Sequence, residues 1–540
     1  MILTLTDSLE KVFKNVGPSR TLTRFSVLKA QRYAMQLCIY NPDWLKTGVR
    51  IRIEGALAPY CTMRVVEEIS AGLTNYQTKD DYYIFEEDSA RSYPDLLRPI
   101  EEGDLLIGGR LWTTLWITLE TDKDTIAGES TLRFTLFDEQ GDIAYTEVEV
   151  EVIDAILPSS DLHFTNWMHY DAIADYYGVE PWSDRYYEVW SGYLDTAIKH
   201  GVNVVYVPLF TPPLDTQVGG ERTDVQLVDI RVDSEGEYHF DFGKLDKFVG
   251  FCEERGVEKY EMCHLTTQWG AKACPKIMAT TPSGYEKIFG WDTPSTSQEY
   301  YAFLKEFLPR LDRYLVEKGI AKEVYFHISD EPSEEQWATY SEVADFVKGL
   351  LKGYKVIDAS STTSNPYVDI PVLSTTHIGE SVPEGIWAYY CCTASDNYLS
   401  NRFFNMPSLR NRIIGMQLYE TGIEGFLHWG FNFYNSAFSL RRINPFVTSD
   451  AGGAFPAGDS FVVYPSSDGA MDSLRLEVLY EGIEDRMALK LLESMIGRDC
   501  VLDLLHKEGV RGLREYPHSE EWLLSFREKL NALIKQNLNK

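Results

Sequence analysis

Val324-Tyr325-Phe326-His327-Ile328-Ser329-Asp330-Glu331-Pro332 runs from a short apolar β-segment into two adjacent carboxylates. Ser333 then opens an acidic, helix-like segment, Glu334-Glu335-Gln336-Trp337-Ala338. A strand that ends in acids and is followed by a helix is how a parallel α/β sheet presents reactive groups at its carboxyl edge. Neighbouring side chains on a regular strand point to opposite faces. Asp330 and Glu331 can therefore serve one site only where the strand ends and the backbone turns, as Pro332 suggests. The competing local reading is a helix N-cap region whose acids answer the macrodipole. The surrounding chain separates the two.

Outward from this stretch, strands alternate with helices. Leu162-His163-Phe164-Thr165-Asn166-Trp167 reads as a first strand, Asn203-Val204-Val205-Tyr206-Val207-Pro208-Leu209-Phe210 as a second and Tyr260-Glu261-Met262-Cys263-His264-Leu265 as a third. Helical patterns cover residues 186–200, 242–255 and 298–318, so the opening stretch is the fourth strand. Lys355-Val356-Ile357-Asp358-Ala359, Pro371-Val372-Leu373-Ser374, Gly385-Ile386-Trp387-Ala388-Tyr389-Tyr390 and Gly425-Phe426-Leu427-His428-Trp429-Gly430 supply four more. A helix over 406–421 precedes the last of these, and one from Leu474 to about Leu492 closes the ring. Eight β-runs over about 300 residues, most separated by helices, match an α/β fold of the (β/α)8 TIM-barrel kind.

Ahead of the barrel the pattern changes. Arg50-Ile51-Arg52-Ile53-Glu54, Leu132-Arg133-Phe134-Thr135-Leu136-Phe137-Asp138 and Tyr145-Thr146-Glu147-Val148-Glu149-Val150-Glu151-Val152 alternate polar and apolar residues. Period two with one polar face marks an antiparallel sheet wetted on one side, and a β-sandwich is expected. Leu157-Pro158-Ser159-Ser160 reads as the linker. The expected organisation is residues 1–157 as the β-sandwich, 158–495 as the barrel and 496–540 as a short helical tail with a fraying end. The Gly- and Asp-rich stretch 448–472 follows the eighth strand and is expected to hang over the barrel mouth.

Composition narrows the function. The 540 residues carry 82 acidic against 51 basic side chains, a net charge of −31, which repels phosphate backbones and disfavours nucleic acid as a partner. Aromatics make up 13% of the chain, including 33 Tyr and 12 Trp; that excess suits stacking on sugars, although most rings will be core. The eight cysteines form no C-x-x-C pair and read as buried free thiols, the adjacent Cys391 and Cys392 included. No apolar run approaches a membrane span, and Met1-Ile2-Leu3-Thr4-Leu5-Thr6-Asp7 has no signal-peptide pattern, so a cytoplasmic location is expected.

Barrel active sites lie at the strand C-termini. His163, Trp167 and His169 surround the end of the first strand, and His264, Gln268 and Trp269 follow the third. His327, Asp330 and Glu331 end the fourth, Trp387, Tyr389 and Tyr390 sit near the seventh, and His428, Trp429, Asn432 and Tyr434 near the eighth. Aromatic walls around a carboxylate pair suit glycoside chemistry, with rings to stack the sugar and an acid for the leaving oxygen. A retaining enzyme with its own nucleophile needs carboxylates about 5 Å apart on opposite sides of the bond. Consecutive residues at one strand end fit instead a substrate-assisted route, in which the sugar's 2-acetamido oxygen attacks the anomeric carbon. Asp330 then stays ionised and holds the acetamide N–H. Glu331 is the acid, raised by its neighbour's charge and a dry pocket. A hydroxyl from Tyr389 or Tyr390 is a candidate donor to the acetamide oxygen.

The segment His327-Ile328-Ser329-Asp330-Glu331-Pro332 resembles the catalytic Asp-Glu motif of glycoside hydrolase family 123. Trp387-Ala388-Tyr389-Tyr390-Cys391, Asn401-Arg402-Phe403, Gly425-Phe426-Leu427-His428-Trp429-Gly430, Ser473-Leu474-Arg475-Leu476-Glu477 and Gly482-Ile483-Glu484-Asp485 are similar to it too. The resemblance implies a retaining exo-β-N-acetylgalactosaminidase of substrate-assisted mechanism, with a β-sandwich ahead of its barrel. It makes Asp330 the acetamide-orienting residue and Glu331 the general acid/base. The substrate implied is an oligosaccharide or glycolipid with a terminal N-acetylhexosamine. Trp167, His264, Trp269, His327, Trp387, Tyr389, Tyr390, Trp429, Asn432 and Tyr434 are the candidate substrate-binding residues, matched by strand end.

Rival chemistries have less support. No H-E-x-x-H or clustered ligand set appears, so neither a metal nor another cofactor is expected. There is no G-x-S-x-G elbow and no phosphate-binding glycine loop. Two alternatives stay open: a β-N-acetylglucosaminidase of the same mechanism, and a carbohydrate-binding protein without turnover.

Overall fold

The computed structural model describes residues 1–75, 78–87, 89–100, 105–360, 363 and 365–538. The eight barrel strands are His163–Asn166, Val204–Val207, Lys259–Met262, Val324–Phe326, Lys355–Ser360, Ile370–Ser374, Trp387–Tyr389 and Gly425–His428. All run parallel, in the order first, eighth, seventh, sixth, fifth, fourth, third, second. The seam between first and second strands is spanned by Asn203. Its backbone N–H donates to Phe164 O (3.0 Å), and its side chain accepts from Phe164 N (2.9 Å) and donates to Leu162 O (2.8 Å). The result is a nearly closed eight-strand parallel barrel.

The helices depart from a strict alternation. Tyr170–Tyr177 and Asp184–Lys199 follow the first strand, Gly243–Glu253 the second, Gln298–Lys318 the third and Trp337–Leu350 the fourth. Among the described residues no helix follows the fifth or sixth strand. The helix expected over 406–421 is two, Ser408–Arg412 and Ile414–Thr421. Ile414–Thr421 packs against Leu474–Ile496 where Gly415 meets Gly482, so closely that a Cβ on Gly415 would lie 1.6 Å from Gly482 O. A four-stranded sheet of Asp229–Val232, Tyr238–Asp241, Ile277–Thr281 and Gly284–Phe289 is inserted in the loops after the second and third strands; its strands are only four to six residues long, too short to stand out from the loops around them.

Ahead of the barrel stand two five-stranded sheets. One contains Ile2–Asp7, Arg32–Tyr40, Trp112–Glu120, Cys61–Ala71 and Arg91–Pro99; the other Arg24–Lys29, Gly141–Ile156, Gly128–Asp138, Lys46–Glu54 and Leu105–Ile107. Leu37, Ile117, Leu132, Phe134, Val148 and Val150 share one core between them, as the alternating pattern requires. One pairing breaks the antiparallel expectation: Arg24–Lys29 runs parallel to Gly141–Ile156. The stretch expected as a short helical tail holds two helices. Arg498–Lys507 and Glu520–Asn537 are both helices, and the second seats Glu528 and Asn531 on Ser26 of the N-terminal sheets. The expected fraying at Asn539 and Lys540 lies outside the described residues. Among the described residues no helix is long and apolar enough to cross a membrane.

Candidate active site

At the carboxyl ends of the strands lies a cavity of about 390 Å³, lined by Trp167, Trp269, Asp330, Glu331, Tyr389 and Trp429 among the sequence-derived candidates. A larger hollow of about 470 Å³ among the N-terminal sheets holds none of these strand-end residues, so the chemistry is sought in the first.

Two adjacent carboxylates reach one cavity because the chain turns between them. Glu331 has φ +44°, a left-handed conformation costly for a side-chain-bearing residue, and more so ahead of a proline. The turn is held from outside: Asp330 O accepts from Trp269 N at 2.8 Å, and Ser329 Oγ accepts from Ala271 N (3.2 Å) while donating to Thr267 O (2.8 Å). The Tyr389 hydroxyl donates to Glu331 Oε1. The expected order of burial is reversed. Glu331 is exposed at the mouth, whereas the Asp330 carboxyl is pushed well above the usual range by burial first and by the Glu331 charge second.

Below the cavity floor sits a buried polar layer. Trp167 Nε1 donates to Glu261 Oε1 (3.0 Å) and Thr165 Oγ1 to Glu261 Oε2 (2.7 Å). His327 bridges this carboxylate to Asp358, with Nε2 toward Glu261 and Nδ1 3.1 Å from Asp358 Oδ1. Burial works against a charge on His327, but the Glu261 charge and the Asp358 hydrogen bond overcome it and raise it to about 9. His264 stacks on that ring at 4.3 Å and bonds Tyr206; burial and the neighbouring His327 hold it well below its ordinary value, hence neutral.

The structure thus places His264 and His327 beneath the floor and not on the cavity wall. Trp387 lies two residues earlier on its strand than Tyr389, about 6.6 Å deeper in the barrel. It stacks on His163 at 5.4 Å in the space left by Gly425, where a Cβ would meet its ring at 2.1 Å. Tyr390 points to the opposite side from Tyr389, against Phe426 and His428. Asn432 binds the His169 backbone through both its amide atoms (2.8 and 3.1 Å), and the Tyr434 hydroxyl donates to Val463 O (3.0 Å). These four are wall-building residues outside the cavity lining.

Loops add groups that strand-end reasoning misses. Asp215, itself at φ +43°, accepts from Phe438 N (3.0 Å) and is raised to about 6 by burial. Asp459 accepts from Trp429 Nε1 (3.2 Å) and is raised to about 7 by burial, against the pull of Arg402. Ala454, Phe455 and Asp459 bring the 448–472 loop over the mouth as expected. Cys391 and Cys392 are not the buried thiols expected: both are half-buried and line the cavity. Gly458-Asp459-Ser460 ahead of apolar Phe461-Val462-Val463 is the one sequence signal for an acid at a strand-like edge; Asp215 has none.

Among the described residues, two groups bring three metal-ligand atoms together: His264, His327 and Asp358, and His200, Asp472 and Glu477. In the first both His327 nitrogens already face carboxylates, and in the second Glu477 is engaged by Arg32 (2.8 Å) and Arg64 (2.7 Å).

The family description "Glycoside hydrolase 123, catalytic domain" matches residues 167–492, more than half of the chain and all of the cavity lining. The chain belongs to glycoside hydrolase family 123. It is a glycosidase-family protein by that membership, and its fold is shared with a family 123 glycoside hydrolase from Clostridium perfringens studied for glycolipid glycan hydrolysis. The TM-score is 0.73 at 15% identity, covering 100% of this chain and 97% of that one. Similarity to a glycoside hydrolase from Bacteroides vulgatus is slighter, with a TM-score of 0.30 at 10% identity over 78% of this chain and 76% of that one. No curated protein matches the family 123 chain by sequence.

Proposed function

We propose that this family 123 chain is a retaining exo-β-N-acetylgalactosaminidase acting by substrate assistance. Its parts are read as a (β/α)8 barrel (158–495), an N-terminal β-sandwich (1–157) and a helical tail (496–540). The observation that carries the proposal is the left-handed turn at Glu331, which brings both adjacent carboxylates to one cavity floored by Trp167. Both acids stand at one strand end, an arrangement that suits a nucleophile supplied by the sugar itself. In this reading Trp167 and Trp429 stack the terminal sugar. Asp330 accepts the acetamide N–H and, once ionised, stabilises the oxazolinium. Glu331 protonates the leaving oxygen and then takes a proton from the incoming water. In the free protein the Tyr389 hydroxyl is held by Glu331. A sugar that draws Tyr389 to its acetamide oxygen frees Glu331 to carry the proton. The neighbour's glycolipid substrate supports a glycolipid or oligosaccharide as the natural substrate here.

The test is hydrolysis of paired aryl β-glycosides of GalNAc and GlcNAc by wild type and Glu331→Gln. The expected result is a faster GalNAc reaction and a loss of about 10²–10⁴-fold in the variant. A GlcNAc preference keeps the mechanism and changes the substrate. An α-anomer as first product, seen by proton NMR, would refute retention.

A further inference from the structure

Cys391 and Cys392 stand side by side just past the seventh barrel strand, and both line the candidate active cavity. They are half-buried, whereas Cys38, Cys252, Cys263 and Cys274 are buried, and the proposed hydrolysis uses neither thiol. We infer that this pair is a modification site in the wall of the active cavity, where hydrogen peroxide joins the two sulfurs in a reversible disulfide that stops turnover. The modification stands apart from the reading of the cavity as a glycosidase site; its effect on turnover rests on that reading.

Three observations carry it. Successive side chains on a regular strand point to opposite faces, but the strand Trp387–Tyr389 has already ended here. Ala394 N donates to Cys391 O (3.1 Å), closing a four-residue turn that lets both cysteines face one cavity. Second, the thiols are in contact. Cys392 hydrogen-bonds Cys391, and Cys391 Sγ lies 3.4 Å from Thr393 Oγ1. The bond to Cys391 and burial hold the Cys392 thiol well above its ordinary value, so it keeps its proton and Cys391 reacts first. The Cys391 sulfur attacks a peroxide oxygen, breaking the O–O bond and giving a sulfenic acid and one water. The Cys392 sulfur then displaces that hydroxyl, forming the S–S bond and releasing a second water. Two thiols are oxidised and one peroxide is reduced. Third, the ring is strained, and it disturbs the wall. Adjacent Cα atoms are about 3.8 Å apart, below the usual disulfide range of about 4.4–6.8 Å, and a strained disulfide is readily reduced. Closing the ring turns the intervening peptide, whose carbonyl, Cys391 O, also accepts from Asn401 Nδ2 (2.8 Å). Loss of that anchor loosens the segment two residues beyond Tyr389, whose hydroxyl holds Glu331.

The experiment treats the full chain with hydrogen peroxide and then with dithiothreitol, as wild type and as Cys391→Ser. Trypsin releases residues 356–402 as one peptide that holds Cys391 and Cys392 and no other cysteine. In wild type that peptide is expected to lose about 2 Da, the mass of two hydrogens, and to regain it on reduction. Hydrolysis of the aryl β-GalNAc substrate should fall about 10²-fold, the scale of a misplacement of about 1 Å, and return with the thiols. Cys391→Ser, set against its own untreated activity, should resist. A peptide of unchanged mass, a disulfide without loss of turnover, or equal inactivation of Cys391→Ser overturns the proposal. If the variant does not fold, the wild-type mass change and its reversal still decide. Should the untreated protein cleave no glycoside, the reading of the cavity fails. The mass change, with a reversible shift in tryptophan fluorescence, then judges the site by itself.

Discussion

Asp330 is half-buried beside an exposed carboxylate, and its raised pKa has opposite consequences for stability and for activity. Its folded value stands above the unfolded one of about 3.9. The stability it contributes is therefore full below about pH 4 and is lost as pH rises through the raised value. Asp330→Asn removes that loss. The variant is expected to melt higher than wild type, with a gap that widens as pH rises from 4 and reaches on the order of 1 kcal/mol or more. It should also be nearly inactive, because an amide cannot stabilise a developing oxazolinium as a carboxylate does. In wild type the acid limb of the kcat/KM profile should lie above the ordinary carboxylate range, since the working form is ionised. Melting curves of both proteins from pH 4 to 8 and a pH–rate profile check this. A variant that melts lower at pH 8, or an acid limb at pH 4 or below, would show that Asp330 is not the strained member of the pair.

Between elements, His327 joins the first, third, fourth and fifth barrel strands through Glu261 and Asp358, with Tyr340 of the following helix donating to Asp358 at 2.7 Å. Its folded pKa of about 9 exceeds the ordinary 6.5, so its contribution is full below about pH 6.5 and lost as pH rises through 9. His327→Gln leaves a buried carboxylate short of its partner, a change of about 3–5 kcal/mol. The difference in melting temperature between wild type and variant should shrink from pH 6.5 to 9.5; a difference independent of pH would mean that His327 is neutral throughout. The sequence marks His327 as a strand-end candidate, but only the barrel register reveals that it faces the interior layer under Trp167. The same limit runs through the whole site. Trp167, Trp269, Tyr389 and Trp429 can be read because strand ends converge by topology, and the eight strands themselves show as apolar runs bracketed by turn residues. Trp387 and Tyr390 mislead because depth along a strand and the side a residue faces depend on register, which a one-residue shift inverts. Asp215 escapes because Phe438, 223 positions on, places it, and Asp459 because Trp429, 30 positions back, does.

At the scale of the whole molecule, the barrel depends on charges supplied by the N-terminal sheets. Arg475, buried, is paired twice with Asp95 of the Arg91–Pro99 strand (2.8 and 3.0 Å) and donates to Gly458 O (2.7 Å) and Phe461 O (3.0 Å). That holds the loop bearing Asp459 to the Arg91–Pro99 strand. Glu477 is opposed by burial, but Arg32 and Arg64 outweigh it and keep its carboxyl well below the ordinary value. A chain beginning at residue 158 would lose Arg32, Arg64 and Asp95 together. It would strip Glu477 of both guanidinium partners and Arg475 of its carboxylate, and breaking a buried pair by removing one partner costs about 3–5 kcal/mol, set against a whole-protein stability of about 5–15 kcal/mol. Residues 158–540 alone are therefore expected not to form a cooperative fold. Asp95→Ala in the full chain should melt lower and lose kcat/KM as the Asp459 loop loosens. Circular dichroism melting of the two proteins decides the point. A sharp, native-like transition in the truncated chain would mean that the sheets are an appended module, and that these buried pairs are ornaments of the interface with no part in holding the site together.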